Sequence, residues 1–199
     1  TSFAYNGTII FAGTNNGMFK SESFGSNWTD ITNNLTNSYI TTVSVSEYGV
    51  AVGTNGGGIF SSLNGGDNWN SYSQGLPDLF INSFYMTQDY DMFAATYSGI
   101  YKFDMDNPGW VLSSSGITNL EVNYLYSTES VVYAGTQIGG LFASFDGGDS
   151  WISFSNGLPA SNINAIYSNE SYLFVGTETH GVWIRPLSEF TNIDDNHLQ

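Results

Sequence analysis

The side chains able to do acid–base, nucleophilic or metal chemistry are few in kind. There is no cysteine, which excludes disulfides, thiolate metal sites and cysteine nucleophiles. Two histidines, His180 and His197, are too few for a multi-histidine metal site. A Ser-His-Asp triad would have to use one of them. His180 lies in Thr177-Glu178-Thr179-His180-Gly181, which reads as a turn between strands, and His197 lies in a polar tail. Paired carboxylates for glycoside hydrolysis are harder to set aside, because 18 Asp and Glu are present. Asp89, Asp91, Asp104, Asp106, Glu121 and Glu178 are the possible partners. Asp104-Met105-Asp106-Asn107-Pro108-Gly109 opens like a calcium loop, but Pro108 replaces a ligand and Ser115 stands where the twelfth-position acid belongs. It reads better as a degraded turn. No catalytic residue, cofactor or metal is expected.

The charge balance narrows the partners. Lys20, Lys102 and Arg185 are the only cations, and the formal net charge is −15. Three scattered cations cannot neutralise a run of phosphates, so nucleic acid is disfavoured. An anionic membrane surface is disfavoured for the same reason. No apolar run approaches the ~20 residues of a bilayer-spanning helix, so membrane insertion is not expected. Thr1-Ser2-Phe3-Ala4-Tyr5 has neither the basic start nor the apolar segment of a signal peptide, as expected of a mature or trimmed form. With 41% hydrophobic and 16% aromatic residues, the chain can pack a core.

The elements that must position any site are set by a repeat. Trp28, Trp69, Trp110 and Trp151 are each 41 residues apart. Phe19, Phe60, Tyr101, Phe142 and Trp183 keep that step through a fifth copy. Leu35, Leu76, Ile117 and Leu158 keep it too, as do Ile40, Ile81, Val122 and Ile163. A landmark at Gly13-Thr14, Gly53-Thr54, Ala95-Thr96, Gly135-Thr136 and Gly176-Thr177 drifts by one residue. Within one unit the hydrophobic period is two, and turn residues separate short runs. The fourth copy predicts strands over 122–126, 131–135, 140–144 and 150–155. Four short strands per ~40 residues is the pattern of a β-propeller blade. The expected fold is all-β: a five-bladed propeller forming one domain over 1–199, with four-stranded antiparallel blades of 41 residues near 1–39, 40–80, 81–121, 122–162 and 163–199.

Between the third and fourth strands stands Ser144-Phe145-Asp146-Gly147-Gly148-Asp149-Ser150-Trp151. This fits Ser/Thr-x-Asp-x-Gly-x-x-Trp, and the chain resembles the Asp-box, or BNR-repeat, sialidase-like propellers. The second copy matches through Ser62, Asn64, Gly66 and Trp69, with an amide for the acid. The first keeps Ser21, Gly25 and Trp28, the third only Trp110, and the fifth loses the box after Trp183. Such a box is structural: a short acidic or amide side chain bonds its own turn, glycine supplies a positive φ, and the tryptophan packs beneath. Sialidases of this family hold a carboxylate with an arginine cluster, so Arg185 alone cannot carry that activity over. Residues 181–190 resemble the ends of secreted Asp-box propellers of Bacteroidetes-type bacteria, which implies an extracellular or cell-surface address.

Recognition is expected in the loops that a propeller gathers around its axis. Between strands two and three these present Asn15, Asn55, Tyr97, Gln137 and Glu178. At the entry to each first strand, Thr41, Asn82, Asn123 and Asn164 form another 41-residue series. Amides and aromatics without cations suit sugar hydroxyls or peptide backbone, though a water-filled channel with satisfied amides needs no ligand. Asn6, Asn27, Asn34 and Asn169 head glycosylation sequons. The fifth copy's only candidate for a fourth strand, residues 188–194, has Phe190 and Ile193 as its sole apolar residues. It predicts a weak native strand, a strand supplied from upstream of Thr1, or one from a neighbouring molecule, which would make a homopolymer. Together these residues point to a non-catalytic extracellular binding or scaffold module, with protein (itself included) or glycan as partner and a filament as one outcome. The alternative is a carbohydrate-active enzyme using two carboxylates in the axial pocket.

Overall fold

The computed structural model describes residues 2–87, 91–128, 130–159 and 161–189. Alternating short apolar runs and glycine-marked turns give nineteen strands in five antiparallel sheets. Sheet 1 is β1 (Ser2–Tyr5), β2 (Ile10–Thr14), β3 (Gly17–Ser21) and β4 (Thr29–Asp30). Sheet 2 is β5 (Ile40–Ser46), β6 (Gly49–Thr54), β7 (Gly58–Ser62) and β8 (Asn70–Ser71). Sheet 3 is β9 (Ile81–Met86), β10 (Met92–Thr96), β11 (Gly99–Asp104) and β12 (Gly109–Leu112). Sheet 4 is β13 (Val122–Ser127), β14 (Val132–Thr136), β15 (Leu141–Ser144) and β16 (Ile152–Ser153). Sheet 5 is β17 (Ile163–Ser168), β18 (Tyr172–Thr177) and β19 (Gly181–Pro186). Each strand pairs with its sequence neighbour, so every sheet is a meander.

The expected four strands per unit hold in four sheets, and the fifth has three among the described residues. Leu187–Glu189, where the weak fourth strand was expected to begin, forms a single 3-10 turn. The rest of that stretch, with Phe190 and Ile193, lies outside the described residues, as do Asp89 and His197.

The sheets stack face to face in chain order. Their first strands meet successively, β1 against β5, β5 against β9, β9 against β13, and β13 against β17. Four apolar clusters fill the four interfaces. Phe11, Met18 and Ile31 meet Ile40, Val43, Val52, Phe60 and Trp69 between sheets 1 and 2. Ile59 meets Ile81, Phe84, Tyr101 and Trp110 between sheets 2 and 3. Equivalent clusters join sheets 3 and 4, and 4 and 5. Among the described residues, no strand of sheet 5 packs in this way on sheet 1.

The Gly-Thr landmark has two physical causes. The threonine hydroxyl donates to the carbonyl of the glycine that opens the next strand, as Thr54 Oγ1 does to Gly58 at 2.8 Å and Thr136 to Gly140 at 2.9 Å. The preceding glycine marks a close approach, since a Cβ on Gly53 would lie 2.5 Å from Cγ2 of Ile81 in the next sheet.

Candidate functional site

The turn after each third strand is built by its own side chains. Ser144 Oγ donates to Asp146 Oδ1 at 2.7 Å and accepts the Gly148 N–H at 2.8 Å, while the Ser150 N–H donates to Asp146 at 2.9 Å. Burial pushes the Asp146 carboxyl up, but donors from Ser150 and Ser144 outweigh this and hold it below the usual range. In sheet 2, Ser62 and Asn64 repeat the arrangement with an amide oxygen. Gly66 and Gly148 have φ of 93° and 94°, which a side chain would strain. In sheet 1, Ser21 Oγ accepts the Gly25 N–H, and Ser23 takes the acid's place by accepting the Asn27 N–H. The third copy keeps only Trp110, and Asp104 accepts the N–H groups of Asn107 and Asp106, which lower its pKa.

Three of the four tryptophans spaced 41 residues apart are buried anchors. Trp69, Trp110 and Trp151 each reach the preceding sheet's unit, where the indole N–H donates to the carbonyls of Ile31, Tyr72 and Ser113. Trp28 departs from this: it is 42% exposed, and its indole donates to Gly25 within its own turn. Trp28 sits on the side of sheet 1 that no other described sheet covers.

The predicted recognition residues have different surroundings. Thr41 Oγ1 donates to the Ile81 carbonyl and Asn82 Nδ2 to that of Val122, so both link one first strand to the next. Asn123 is half-buried and Asn164, at the end of that series, is exposed. Asn15 and Asn55 are exposed, and the exposed Tyr97 leans on Phe80. Gln137 is held through its backbone by Glu121 and Asn119. Glu178 accepts from Asn162 Nδ2 at 2.7 Å. Asp91 pairs with Lys102 at 2.9 Å, Asp106 and Glu121 are exposed, and His180 Nδ1 lies against Thr179. Among the described residues, no group of three His, Asp or Glu is placed to hold a metal ion. Asn6 and Asn169 accept N–H bonds in exposed turns, and Asn27 is exposed. Asn34 instead clamps sheet 2: its amide donates to the Trp69 carbonyl at 2.7 Å and accepts the Trp69 N–H at 3.0 Å.

What the arrangement leaves unsatisfied is its two end faces. Strand register makes Met18, Ile59, Ile100, Leu141 and Val182 equivalent positions. The first four are fully buried under the following sheet, and Val182 is 66% exposed. Tyr85 and Tyr126 hydroxyls reach the next sheet's Ser127 and Ser168, whereas their equivalent Tyr167 is exposed. At the other end, Phe3 matches Val43, Phe84, Leu125 and Ile166, all buried against a preceding sheet, and is 64% exposed. Tyr5 and Phe24 are exposed beside it. The 41-residue period could not show this, because it treats all copies alike.

No family model matches the chain, and no curated protein does. Solved structures do. The extracellular domain of BT4673 from B. thetaiotaomicron superposes with a TM-score of 0.78 at 19% identity, covering 92% of this chain. The computationally designed Ika8 protein gives 0.73 at 14% identity and 94% coverage. YCF48 from Cyanidioschyzon merolae gives 0.68 at 17% identity and 94% coverage. The fold is propeller-like. The chain spans 25% of the BT4673 chain, 58% of Ika8 and 66% of YCF48.

Proposed function

We propose that the chain is a non-catalytic, extracellular binding and scaffold module of the Asp-box type, and that it assembles head to tail with a second copy through its end sheets. The carrying observation is the contrast at one repeat position: Val182 lies open where Met18, Ile59, Ile100 and Leu141 are covered. The outward face of sheet 5 and the outward face of sheet 1 are the two halves of an interface that the chain already builds four times internally. Burying such apolar surface is favourable by roughly 25 cal/mol per Å², and exposed apolar faces of this kind mark interaction sites. The extracellular address is supported by the likeness to the extracellular domain of BT4673 and by residues 181–190. Binding is favoured over hydrolysis by the engagement of Asp91, Asp104 and Glu178 with Lys102, with their own turn and with Asn162.

Sedimentation velocity across two decades of concentration tests the assembly. Wild-type chain is expected to associate, and Val182→Asp to stay monomeric with an unchanged circular dichroism spectrum. A wild type that remains monomeric throughout would overturn the proposal, whether its ends then meet each other or further sheets of a longer polypeptide. Equal association of the variant would overturn it too.

A further inference from the structure

The four sheet interfaces are not filled alike. On the face each sheet turns to the next, one row runs straight across the first three strands. In sheet 1 it is Ala4, Phe11 and Lys20. In sheet 3 it is Tyr85, Phe93 and Lys102, in sheet 4 Tyr126, Tyr133 and Ala143, and in sheet 5 Tyr167, Phe174 and Ile184. In sheet 2 it is Ser44, Ala51 and Ser61, all three small. Between sheets 3 and 4 the large row is in use: the Lys102 ammonium lies 5.5 Å over the Phe93 ring and donates to the Gly147 carbonyl at 2.9 Å. Between sheets 2 and 3 the small row leaves a cavity of about 430 Å³.

The opposite wall is sheet 3. Phe84, Met86 and Met92 face the gap, and Met105 closes it from the turn after β11. Three of the chain's four methionines therefore line one cleft. Methionine is unbranched and polarisable, adapts its rotamer to the occupant, and makes favourable contacts with aromatic rings. Among the described residues, the lining carries hydroxyls but no charged side chain. A cleft of this volume, mostly apolar with a few polar groups, has the size and character of a small-molecule site. The absence of a cation in the wall, in a chain of net charge −15, selects against anions.

We infer that the cleft between sheets 2 and 3 is a binding site for a neutral, ring-bearing, largely apolar small molecule, with the Ser44 and Ser61 hydroxyls available to a carbonyl or hydroxyl on it. The site is separate from the end faces and does not depend on assembly.

The test uses the neutral dye N-phenyl-1-naphthylamine with the full chain. Wild type is expected to give saturable fluorescence enhancement at one site per chain. With methyl-labelled methionine, the Met86, Met92 and Met105 signals should shift on titration. The signal of Met18, buried between sheets 1 and 2, should stay still. Ala51→Phe with Ser61→Lys installs the residues that sheet 3 carries as Phe93 and Lys102, and should weaken binding by about tenfold or more. Ser61→Lys alone serves if the double variant does not fold. Val182→Asp, on the end face, should bind as wild type does. Overturning results are non-saturable enhancement, methionine signals that do not move, or a filled cleft that binds equally well.

Discussion

Trp151 and Trp28 occupy the same place in the repeat, and replacing each by alanine separates burial from motif. Trp151 is 2% exposed and packs with Phe93, Ile100, Ile117 and Phe142. Its indole N–H also satisfies the Ser113 carbonyl at 2.8 Å. Truncation removes a large aromatic from a packed cluster, leaves a void, and orphans a buried acceptor. Large-to-small aromatic changes in cores cost about 3–5 kcal/mol, and the orphaned carbonyl places Trp151→Ala toward the upper end. For a domain of this size that lowers Tm by roughly 6–20 °C. Trp28 is 42% exposed and bonds only its own turn. Trp28→Ala should therefore cost less than about 1 kcal/mol in dilute solution. Urea titrations followed by far-UV circular dichroism measure both. The reasoning fails if Trp151→Ala costs under about 1 kcal/mol, or if the two variants are equally destabilised. If the end faces pair between copies, the cost of Trp28→Ala must grow with protein concentration, because association stabilises only the folded state.

Two further outcomes follow from the turns and clamps. The Asp146 carboxyl is held below its usual range, so its ionised form stabilises the fold above the unfolded pKa of about 4, and that contribution disappears as pH falls through the lowered folded value. Asp146→Asn should thus be slightly less stable than wild type at neutral pH, and chemical denaturation should show the gap closing in acid; a gap independent of pH contradicts the bonding described. Asn34→Ala removes both hydrogen bonds to the Trp69 backbone and should cost about 1–3 kcal/mol. Neutral substitution in a thermal melt would show that the clamp contributes nothing.

The period of 41 carried most of the fold. The tryptophan, aromatic and isoleucine series map onto turn anchors, third strands and first-strand entries because identical positions meet identical neighbours in the inner sheets. The same logic hides what lies at the ends. Trp28, Phe3 and Val182 look like Trp69, Val43 and Met18 in sequence, and only the stacking order shows that no other described sheet covers them. Another regular series carries no signal of its role in the sequence: Ser73, Ser114 and Ser155 accept the N–H of Ile59, Ile100 and Leu141 and donate to the carbonyl of the same residue. Serines every 41 residues look like loop composition until the strand they lock is known. The Ser44–Ala51–Ser61 row is harder still to see. Its members lie on three strands, so no short stretch of sequence shows them together.

The position of the cleft also bears on where such a module could hold a ligand. Inner-strand donors such as Thr41 and Asn82 are engaged with the next sheet's backbone, so a ligand at the axis would compete with bonds that hold neighbouring sheets together. A ligand between sheets 2 and 3 competes with nothing of the kind, since its place is vacated by three small side chains. Filling that place with the phenylalanine and lysine of sheet 3 should then weaken binding while improving the packing of sheets 2 and 3. Stability and binding would move in opposite directions. A filled variant that loses both has been overpacked, and one that keeps binding shows that the ligand sits elsewhere.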